Sequence, residues 1–267
     1  MNQYVHGYSL EEANRLNDQA QATSDFIHYD SLWPEGSHVL EAGCGVGAQT
    51  QIIASQNPLC RFTSIDISPE SVEKARSTIS SLGLENVAFQ QADIFQLPFE
   101  EASFDHVFIC FVLEHLGEPV TALQEAQRVL KPGGTVTVIE GDHGSTYFHP
   151  DSMDAQRAVQ HQITLQQLGG GDANIGRRLY PLMASSGLEN IQISPRQIYV
   201  DDSKPALVEG FTLNTFTAMI EGIAEDAISA GLTNRKDMEK GIADLARTAQ
   251  GGGTFCYTFF KGRGIKP

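Results

Sequence analysis

The stretch Val39-Leu40-Glu41-Ala42-Gly43-Cys44-Gly45-Val46-Gly47-Ala48 decides the fold of this chain. A short apolar strand ends in an acidic residue and three glycines at alternate positions, and a helix-like segment follows. Glycine has no Cβ, so the backbone can turn sharply and a ligand can approach its N–H groups closely. The next helix would present its N-terminal amides and positive dipole end to the same place. We therefore predict that this loop binds a small molecule carrying an anionic group.

Composition limits the classes of partner. The chain has 267 residues, which suits one enlarged domain or one domain plus a smaller appendage. With 41% hydrophobic and 19% charged residues, its composition is typical of a soluble globular protein. Its net charge of −15 argues against phosphate-mediated nucleic-acid binding. We expect no secretory leader, and no apolar run in the sequence is long enough for a membrane span. We expect a cytoplasmic protein with a small-molecule substrate, and a homodimer stays open.

The four cysteines are scattered and show no C-x-x-C pair. We therefore expect reduced thiols and no metal site.

Strand and helix patterns alternate along most of the chain, which predicts an α/β fold with a doubly wound, mostly parallel sheet. Strands are expected at residues 38–42, 61–66, 87–91, 104–111, 135–140, 191–200 and 254–260. A helix over 10–29 would form an N-terminal helical cap within residues 1–35, ahead of the main domain at 36–267. Residues 141–171 and 201–253 interrupt the alternation, and we interpret them as lid insertions over the carboxyl ends of the strands, where ligands bind in such sheets.

Acidic residues follow three successive strands. Asp66 ends the second strand, where a carboxylate can accept both hydroxyls of a ribose. Asp93 ends the third, where it could accept a hydrogen from an adenine amino group, and Ile67 and Ile94 could sandwich the ring. Glu41 could order the loop or meet a cationic ammonium. Three acids at three strand ends suit an adenosine with a positively charged group better than a pyrophosphate.

These pieces resemble the class I S-adenosylmethionine-dependent methyltransferases, in particular the branch that includes the ubiquinone and menaquinone biosynthesis C-methyltransferases. Five motifs occur in the family's order and spacing, and together they span about residues 36–140: residues 39–47, 64–69, 91–94 with 97–99, 104–107 leading to 111–116, and 128–134. The last strand is similar to the antiparallel seventh strand of that fold. The resemblance therefore implies a Rossmann-like sheet of seven strands with helical cap segments.

The resemblance also implies a cofactor site for S-adenosylmethionine. The glycine loop would surround the methionine portion, Asp66 would hold the ribose, and Asp93 with Ile94 would contact the adenine. The backbone at Cys110 and Phe111 would line the cofactor beneath the substrate. The N-terminal helix would close over the site through Tyr8, Arg15 and Gln19. The full set of expected cofactor residues is Glu41, Gly43, Cys44, Gly45, Gly47, Asp66, Ile67, Asp93, Ile94, Cys110 and Phe111.

Catalysis would depend mainly on aligning the attacking atom with the methyl–sulfur bond, because the methyl group on a sulfonium is already activated. A base is required only when the attacking atom carries a proton. Candidates follow the fourth strand, at Glu114 and His115, and the fifth, at Glu140, Asp142 and His143. We select His115, Asp142 and His143 as catalytic candidates, with Asp142 orienting an ammonium and His143 removing its proton. A small polar or amine-bearing acceptor is expected, whether nitrogen, carbon or oxygen is methylated.

Two other functions stay open at the level of sequence. Gly43, Gly45 and Ala48 also match the dinucleotide pattern G-x-G-x-x-A, which would suit an NAD-dependent oxidoreductase. Asp93 and the absence of a second nucleotide-binding half disfavour that class. A non-catalytic cofactor-binding protein is the other alternative, and the intact motif set speaks against it.

Overall fold

Seven strands form one sheet in the order β3-β2-β1-β4-β5-β7-β6, in a computed structural model that describes Ala20 and residues 23–267. The last strand, β7, runs antiparallel to both of its neighbours, whereas β1 to β5 pair in parallel. The strands are β1 His38–Ala42, β2 Arg61–Asp66, β3 Val87–Gln91, β4 Phe104–Cys110, β5 Leu130–His149, β6 Glu189–Val200 and β7 Thr254–Ile265. The predicted doubly wound sheet with an antiparallel last strand is confirmed.

Helices connect the strands and cover both faces of the sheet. They are α1 Thr50–Gln56, α2 Pro69–Ser81, α3 Pro119–Val129, α4 Met153–Leu168, α5 Leu179–Ser185, α6 Pro205–Leu207, α7 Ala218–Gly222, α8 Ala224–Ser229 and α9 Arg235–Ala246. A π-helix, Val208–Thr217, joins α6 to α7, and short 3₁₀ turns lie at Leu113–His115, Ile175–Arg178 and Arg247–Ala249. No helix in the described part of the chain is long and apolar enough to cross a lipid bilayer.

Local sequence explains where the helices begin. Ser68 caps α2, since its hydroxyl accepts a hydrogen bond from the backbone N–H of Ser71 at 3.2 Å, and Pro69 occupies the first helical position. Ser152 caps α4 in the same way, accepting from the two amides of Asp154 and Ala155. These caps satisfy amides that would otherwise lack partners at a helix start.

Two hydrophobic clusters fill the part of the molecule that the structure describes. The first is built from buried side chains of α1, of the helical residues 23–27 and of β6 and β7. Side chains of α4 and of the helices between residues 205 and 249 complete it. The other packs α3 and α5 against the central strands. Central strand β4 contributes to both clusters, with Phe108 in the first and Val107 in the second. That alternation is what a strand covered on both faces requires.

The structure differs from the sequence prediction after residue 140. Residues 141–149 were assigned to a lid insertion, but they continue β5 and pair with the start of β7, from Tyr147 opposite Cys256 to His149 opposite Thr254. Residues 143–146 bulge out of this ladder. The strand is extended because β7 supplies a long antiparallel partner that no local pattern in residues 141–149 reveals.

The helices that follow form one unit, which we call the cap: α4 together with the helical residues 205–249. Gly241 lets α9 approach α4 closely, since a Cβ there would lie 2.6 Å from the carbonyl oxygen of Asp154. The hydroxyl of Ser152 donates to Asp244 at 2.7 Å, and Lys240 bridges Asp154 and Asp244. The first helix of the cap follows the end of β5, and its last helical turn precedes the start of β7. Both points lie at the carboxyl edge of the parallel strands.

The helix expected over residues 10–29 falls largely outside the described residues. Ala20 and residues 23–27 are helical. Tyr8, Arg15 and Gln19, which the sequence analysis placed over the cofactor, lie outside the described part of the chain.

Candidate cofactor and acceptor site

The glycine loop after β1 has the left-handed backbone that its sequence predicts, with φ of +87° at Gly43, +52° at Gly45 and +86° at Gly47. Two of the glycines are required by close packing. A Cβ at Gly43 would collide with the side chain of Val112, and one at Gly47 would lie 3.1 Å from the Cα of Ala75. Gly45 differs, because no atom of the described residues lies within 4 Å of the position its Cβ would take. The middle of the loop therefore borders open space that a ligand can enter.

Asp66 fixes this loop from the end of β2. Its Oδ2 accepts a hydrogen bond from the Gly45 N–H at 2.9 Å, and its Oδ1 accepts one from the Ser68 N–H at the same distance. Burial raises the pKa of Asp66 above its usual value. A carboxylate has about four lone-pair sites, so two amide contacts leave capacity for the hydroxyls of a ribose. The side chain predicted to hold a ribose thus lies beside the open part of the loop.

Glu41 lies beneath the loop and is fully buried. Its Oε2 accepts hydrogen bonds from the hydroxyls of Thr50 at 2.7 Å and Ser64 at 2.6 Å. Burial raises the pKa of Glu41 to about 7, although both hydroxyls oppose this shift. These contacts link β1, β2 and α1. Of the two roles that the sequence suggested for Glu41, they fit the ordering of the loop. Cys44, next in the loop, is also buried, and desolvation raises the pKa of its thiol.

The expected adenine contacts lie at the rim of the site. Asp93 is exposed and accepts a hydrogen bond from the Phe95 N–H at 2.9 Å. Ile67 has 54% of its surface exposed, and Ile94 is partly buried. An exposed isoleucine beside a polar strand end provides an apolar surface that a flat ring could cover.

The end of β4 carries the backbone expected beneath the cofactor. Cys110 is buried, and Phe111 adopts a left-handed φ of +58°, which is uncommon for a bulky residue. The Phe111 N–H donates to the carbonyl oxygen of Ile139 at 2.9 Å, which holds the turn against β5. Backbone strain of this kind concentrates at functional sites.

Glu140, at the end of the parallel part of β5, stabilises the same turn. Its fully buried Oε1 accepts hydrogen bonds from the N–H groups of Val112 at 3.1 Å and Leu113 at 2.8 Å. Its Oε2 is buried and has no hydrogen-bond partner among the residues that the structure describes. Burial and the neighbouring carboxyl of Glu114 raise the pKa of Glu140 well above its usual range. Glu114 is held in turn by the amide of Gln166 from the cap, which donates to its Oε2 at 3.2 Å.

The three catalytic candidates have different partners. His115 is half-buried beside Glu114, with 3.7 Å between its Nε2 and the Glu114 Oε1. Asp142 is almost fully buried, and both of its oxygens accept hydrogen bonds at 2.6 Å from Arg177. This bidentate pair ties the end of β5 to the 3₁₀ turn at Ile175–Arg178. The carboxylate of Asp142 is thus paired with a protein cation.

His143 lies instead in an aromatic environment between the sheet and the cap. Its Nδ1 is 2.8 Å from the hydroxyl of Tyr257 on β7, and the ring of Phe216 from the π-helix lies 5.9 Å away. The Tyr257 hydroxyl in turn fits against Gly141, where a Cβ would collide with it. The tautomer of His143 depends on the hydrogen bonds that its two ring nitrogens make when cofactor and acceptor are bound.

Three contributors were missed by the sequence reasoning. Tyr257, Gln166 and Arg177 meet their partners across 114, 52 and 35 residues of chain, respectively. Nothing in the local pattern around them distinguishes them from core or surface residues. Their roles come entirely from the way β7, α4 and the 3₁₀ turn return to the carboxyl edge of the sheet.

Comparison with known proteins agrees with this geometry. A family model described as a methyltransferase domain matches residues 34–187, which include the glycine loop, Asp66, Asp93 and the ends of β4 and β5. The chain belongs to the class I S-adenosylmethionine-dependent methyltransferases. The resemblance drawn from the five motifs is thereby confirmed.

Curated relatives of this methyltransferase match it over part of their length. It is 34% identical over 199 residues to an uncharacterised 37.1 kDa protein of a Streptomyces fradiae transposon, covering 73% of this chain and 54% of that protein. It is 32% identical over 164 residues to an uncharacterised methyltransferase of Schizosaccharomyces pombe, covering 58% and 59%. A demethylmenaquinone methyltransferase of Staphylococcus aureus is 37% identical over 107 residues, covering 40% and 44%. The methyltransferase thus spans about half the length of these relatives.

Solved structures show the same fold over nearly the whole chain. The YcgJ protein of Bacillus subtilis aligns with a TM-score of 0.56 at 20% identity, covering 95% of this chain and 98% of that one. A structure described as a methyltransferase of Bacillus halodurans aligns with a TM-score of 0.57 at 17% identity, covering 94% and 99%. At these levels of sequence identity, the structural similarity shows a shared fold.

Proposed function

We propose that this chain transfers a methyl group from S-adenosylmethionine to a small-molecule acceptor. The observation that carries the proposal is the glycine loop: Gly45 faces open space, and the Asp66 carboxylate beside it keeps unused acceptor capacity. When bound, S-adenosylmethionine supplies a methyl group already activated by its sulfonium. The protein would bind the ribose through Asp66, the adenine at Asp93 and Ile94, and the methionine portion along the loop.

The acceptor would lie between the ends of β4 and β5 and the cap. Aromatic side chains dominate this region. The ring centroids of Phe111 and Phe259 are 5.4 Å apart, and those of Phe216 and Tyr257 are 5.5 Å apart. An acceptor with an apolar ring or chain fits such surroundings better than a purely polar one. The chain's net charge of −15 also favours a small molecule over nucleic acid.

His143 is our main candidate for the group that accepts the acceptor's proton. Its contact with Tyr257 orients the imidazole, which a general base requires. We assign Asp142 a positioning role instead, because its carboxylate forms a bidentate ion pair with the Arg177 guanidinium. His115 is the second candidate, since Glu114 lies beside its Nε2.

Two measurements test the proposal. Calorimetric titration with S-adenosylhomocysteine and, in parallel, with NADH separates a methyltransferase from an oxidoreductase, and we expect binding of the first alone. A mass-spectrometric screen of metabolites with S-adenosylmethionine should then find an acceptor that gains one methyl group. Binding of NADH without S-adenosylhomocysteine would overturn the proposal, and cofactor binding without any methylated product would favour a non-catalytic binding protein.

We further propose that the cap determines acceptor choice. The motifs for the sheet and the cofactor are complete without residues 201–253, and long insertions at such positions usually carry function. Shortening this segment should change acceptor turnover more than affinity for S-adenosylhomocysteine.

The four cysteines are all free thiols, which fits the cytoplasmic location that we propose.

A further inference from the structure

Two buried cations share one carboxylate where β6 and β7 meet the segment before β1. The side chains of Arg196 on β6 and Lys261 on β7 are only 6% and 8% exposed. Asp30 accepts a hydrogen bond from each of them at 2.6 Å, one on each of its oxygens. Among the described residues, no second carboxylate forms an ion pair with either cation. The cluster therefore contains one more positive charge than negative charge.

The ammonium group of Lys261 has a full set of partners. Besides Asp30, its Nζ donates to the hydroxyl of Ser31 at 2.8 Å and to the carbonyl oxygen of Ile27 at 3.4 Å. These three acceptors match the three donors of an ammonium. His28, in the same segment, adds no charge near neutral pH, because burial lowers its pKa to about 4. The incomplete partner of the cluster is therefore Arg196.

Arg196 has hydrogen-bond donors that its surroundings do not satisfy. Its Nη2 donates to Asp30, whereas its Nε and Nη1 are buried and have no acceptor among the residues that the structure describes. The guanidinium also lies over the ring of Tyr29, with 4.3 Å between Cζ and the ring centroid, and this contact leaves those donors unpaired. Buried donors and charges without partners are costly. An anion in the plane of the guanidinium would balance the charge and engage the unused donors.

Cross-strand pairing connects Arg196 to the wall of the proposed acceptor site. Arg196 is paired with Phe259 of β7, which is paired in turn with Gly141 of β5. Directly paired residues project from the same face of a sheet, and here that face carries the first hydrophobic cluster and the cap. The ring centroids of Phe259 and Phe111 are 5.4 Å apart. An apolar acceptor that packs against Phe259 would thus have Arg196 as a neighbouring cation.

The side chains that cover Arg196 are themselves exposed. Tyr29 has 60% of its surface exposed, and the side chain of Asp30 is 43% exposed. Neither is held in place by the packing of a core, so displacing them costs little compared with opening the core. An anion can therefore reach the guanidinium by displacing surface side chains.

We propose that Arg196 binds an anionic group, a carboxylate or a phosphate, on an acceptor whose apolar part packs against Phe259. The inference rests on the proposed function, since the acceptor site belongs to that proposal. Arginine suits this role because its planar guanidinium forms charge-assisted hydrogen bonds with both kinds of anion. The inference favours an acidic acceptor over one whose only charge is an ammonium.

The test uses three aromatic probes of similar size: benzoate, phenyl phosphate and the neutral benzamide. Thermal unfolding with S-adenosylhomocysteine present should show that wild type is stabilised by at least one of the two anions and not by benzamide, and the two anions distinguish a carboxylate site from a phosphate site. Calorimetric titration then gives the dissociation constant of the anion that binds. Arg196→Gln should raise it about tenfold or more, because a charged hydrogen bond is lost. The matched control, Arg263→Gln, removes an exposed arginine from β7 and should leave it unchanged.

The outcomes separate this inference from the proposed function. If wild type does not bind S-adenosylhomocysteine, the proposed function is wrong, and the probe titrations without cofactor decide whether Arg196 still binds an anion. If neither anion stabilises wild type more than benzamide does, or if Arg263→Gln weakens anion binding as much as Arg196→Gln, the inference is wrong. Should Arg196→Gln fail to fold, Arg196→Lys keeps the charge and loses the planar guanidinium. It should bind the anion more weakly than wild type, and equal affinity would overturn the inference.

Discussion

Replacing Glu41 by glutamine should stabilise the protein, and the gain should appear only as the pH rises. Burial raises the pKa of Glu41 from 4.5 to about 7. Because the folded-state pKa is the higher one, its contribution is fully present below the unfolded pKa and is lost as the pH rises through about 7. The difference of about 2.5 units, at 1.36 kcal/mol each, gives about 3 kcal/mol in the free energy of unfolding. Glutamine has a similar shape, can still bond with Thr50 and Ser64, and never ionises.

The assay is thermal unfolding of wild type and Glu41→Gln at about pH 5 and about pH 8. The melting temperature of the variant relative to wild type should be about 5–10 °C higher at the upper pH than at the lower one. Comparing the two proteins at each pH removes the contribution of every other titrating group. Glu118→Gln, which changes an exposed glutamate, should show no such pH-dependent offset. If the offset for Glu41→Gln were equal at both pH values, Glu41 would not titrate in this range and the reasoning from burial would be refuted.

Four further substitutions probe the site. Asp66→Ala should weaken S-adenosylhomocysteine binding by about 2–3 kcal/mol, because a charged hydrogen-bond acceptor is lost; full affinity in calorimetry on the folded variant would contradict the ribose assignment. Gly141→Ala should displace the Tyr257 hydroxyl and lower the melting temperature, and an unchanged melting curve would show that the space is not filled. His143→Phe should reduce turnover and remove one limb of the pH–rate profile while leaving calorimetric cofactor affinity nearly unchanged; wild-type turnover would move attention to His115. Asp142→Asn should destabilise the fold by about 1–3 kcal/mol in denaturant titration, since it weakens the ion pair between the buried Asp142 and the half-exposed Arg177, and an unaltered midpoint would mean that the pair contributes nothing.

The sequence by itself determined the sheet and the cofactor side of the site. The predicted strands at 38–42, 61–66 and 87–91 have the observed bounds, because each is a short run with β-branched or aromatic residues that follows a turn containing glycine or proline. The glycine loop and Asp66 follow from the same local logic. Left-handed backbone needs glycine, and parallel strands deliver their terminal residues to one edge. Interactions of this kind span few residues, so they leave a readable pattern.

Only the tertiary structure decided what surrounds the acceptor. The extension of β5 to residue 149 depends on β7, more than a hundred residues later. The partners of His143 and Asp142 come from β7 and a 3₁₀ turn, so whether each side chain faces an acceptor or a protein group could not be known from its neighbours in sequence. The hydrogen bonds that Glu140 accepts likewise come from Val112 and Leu113, which follow another strand. Burial and charge pairing are set by groups that meet only after the chain has folded, and they decide which of several plausible side chains can do chemistry.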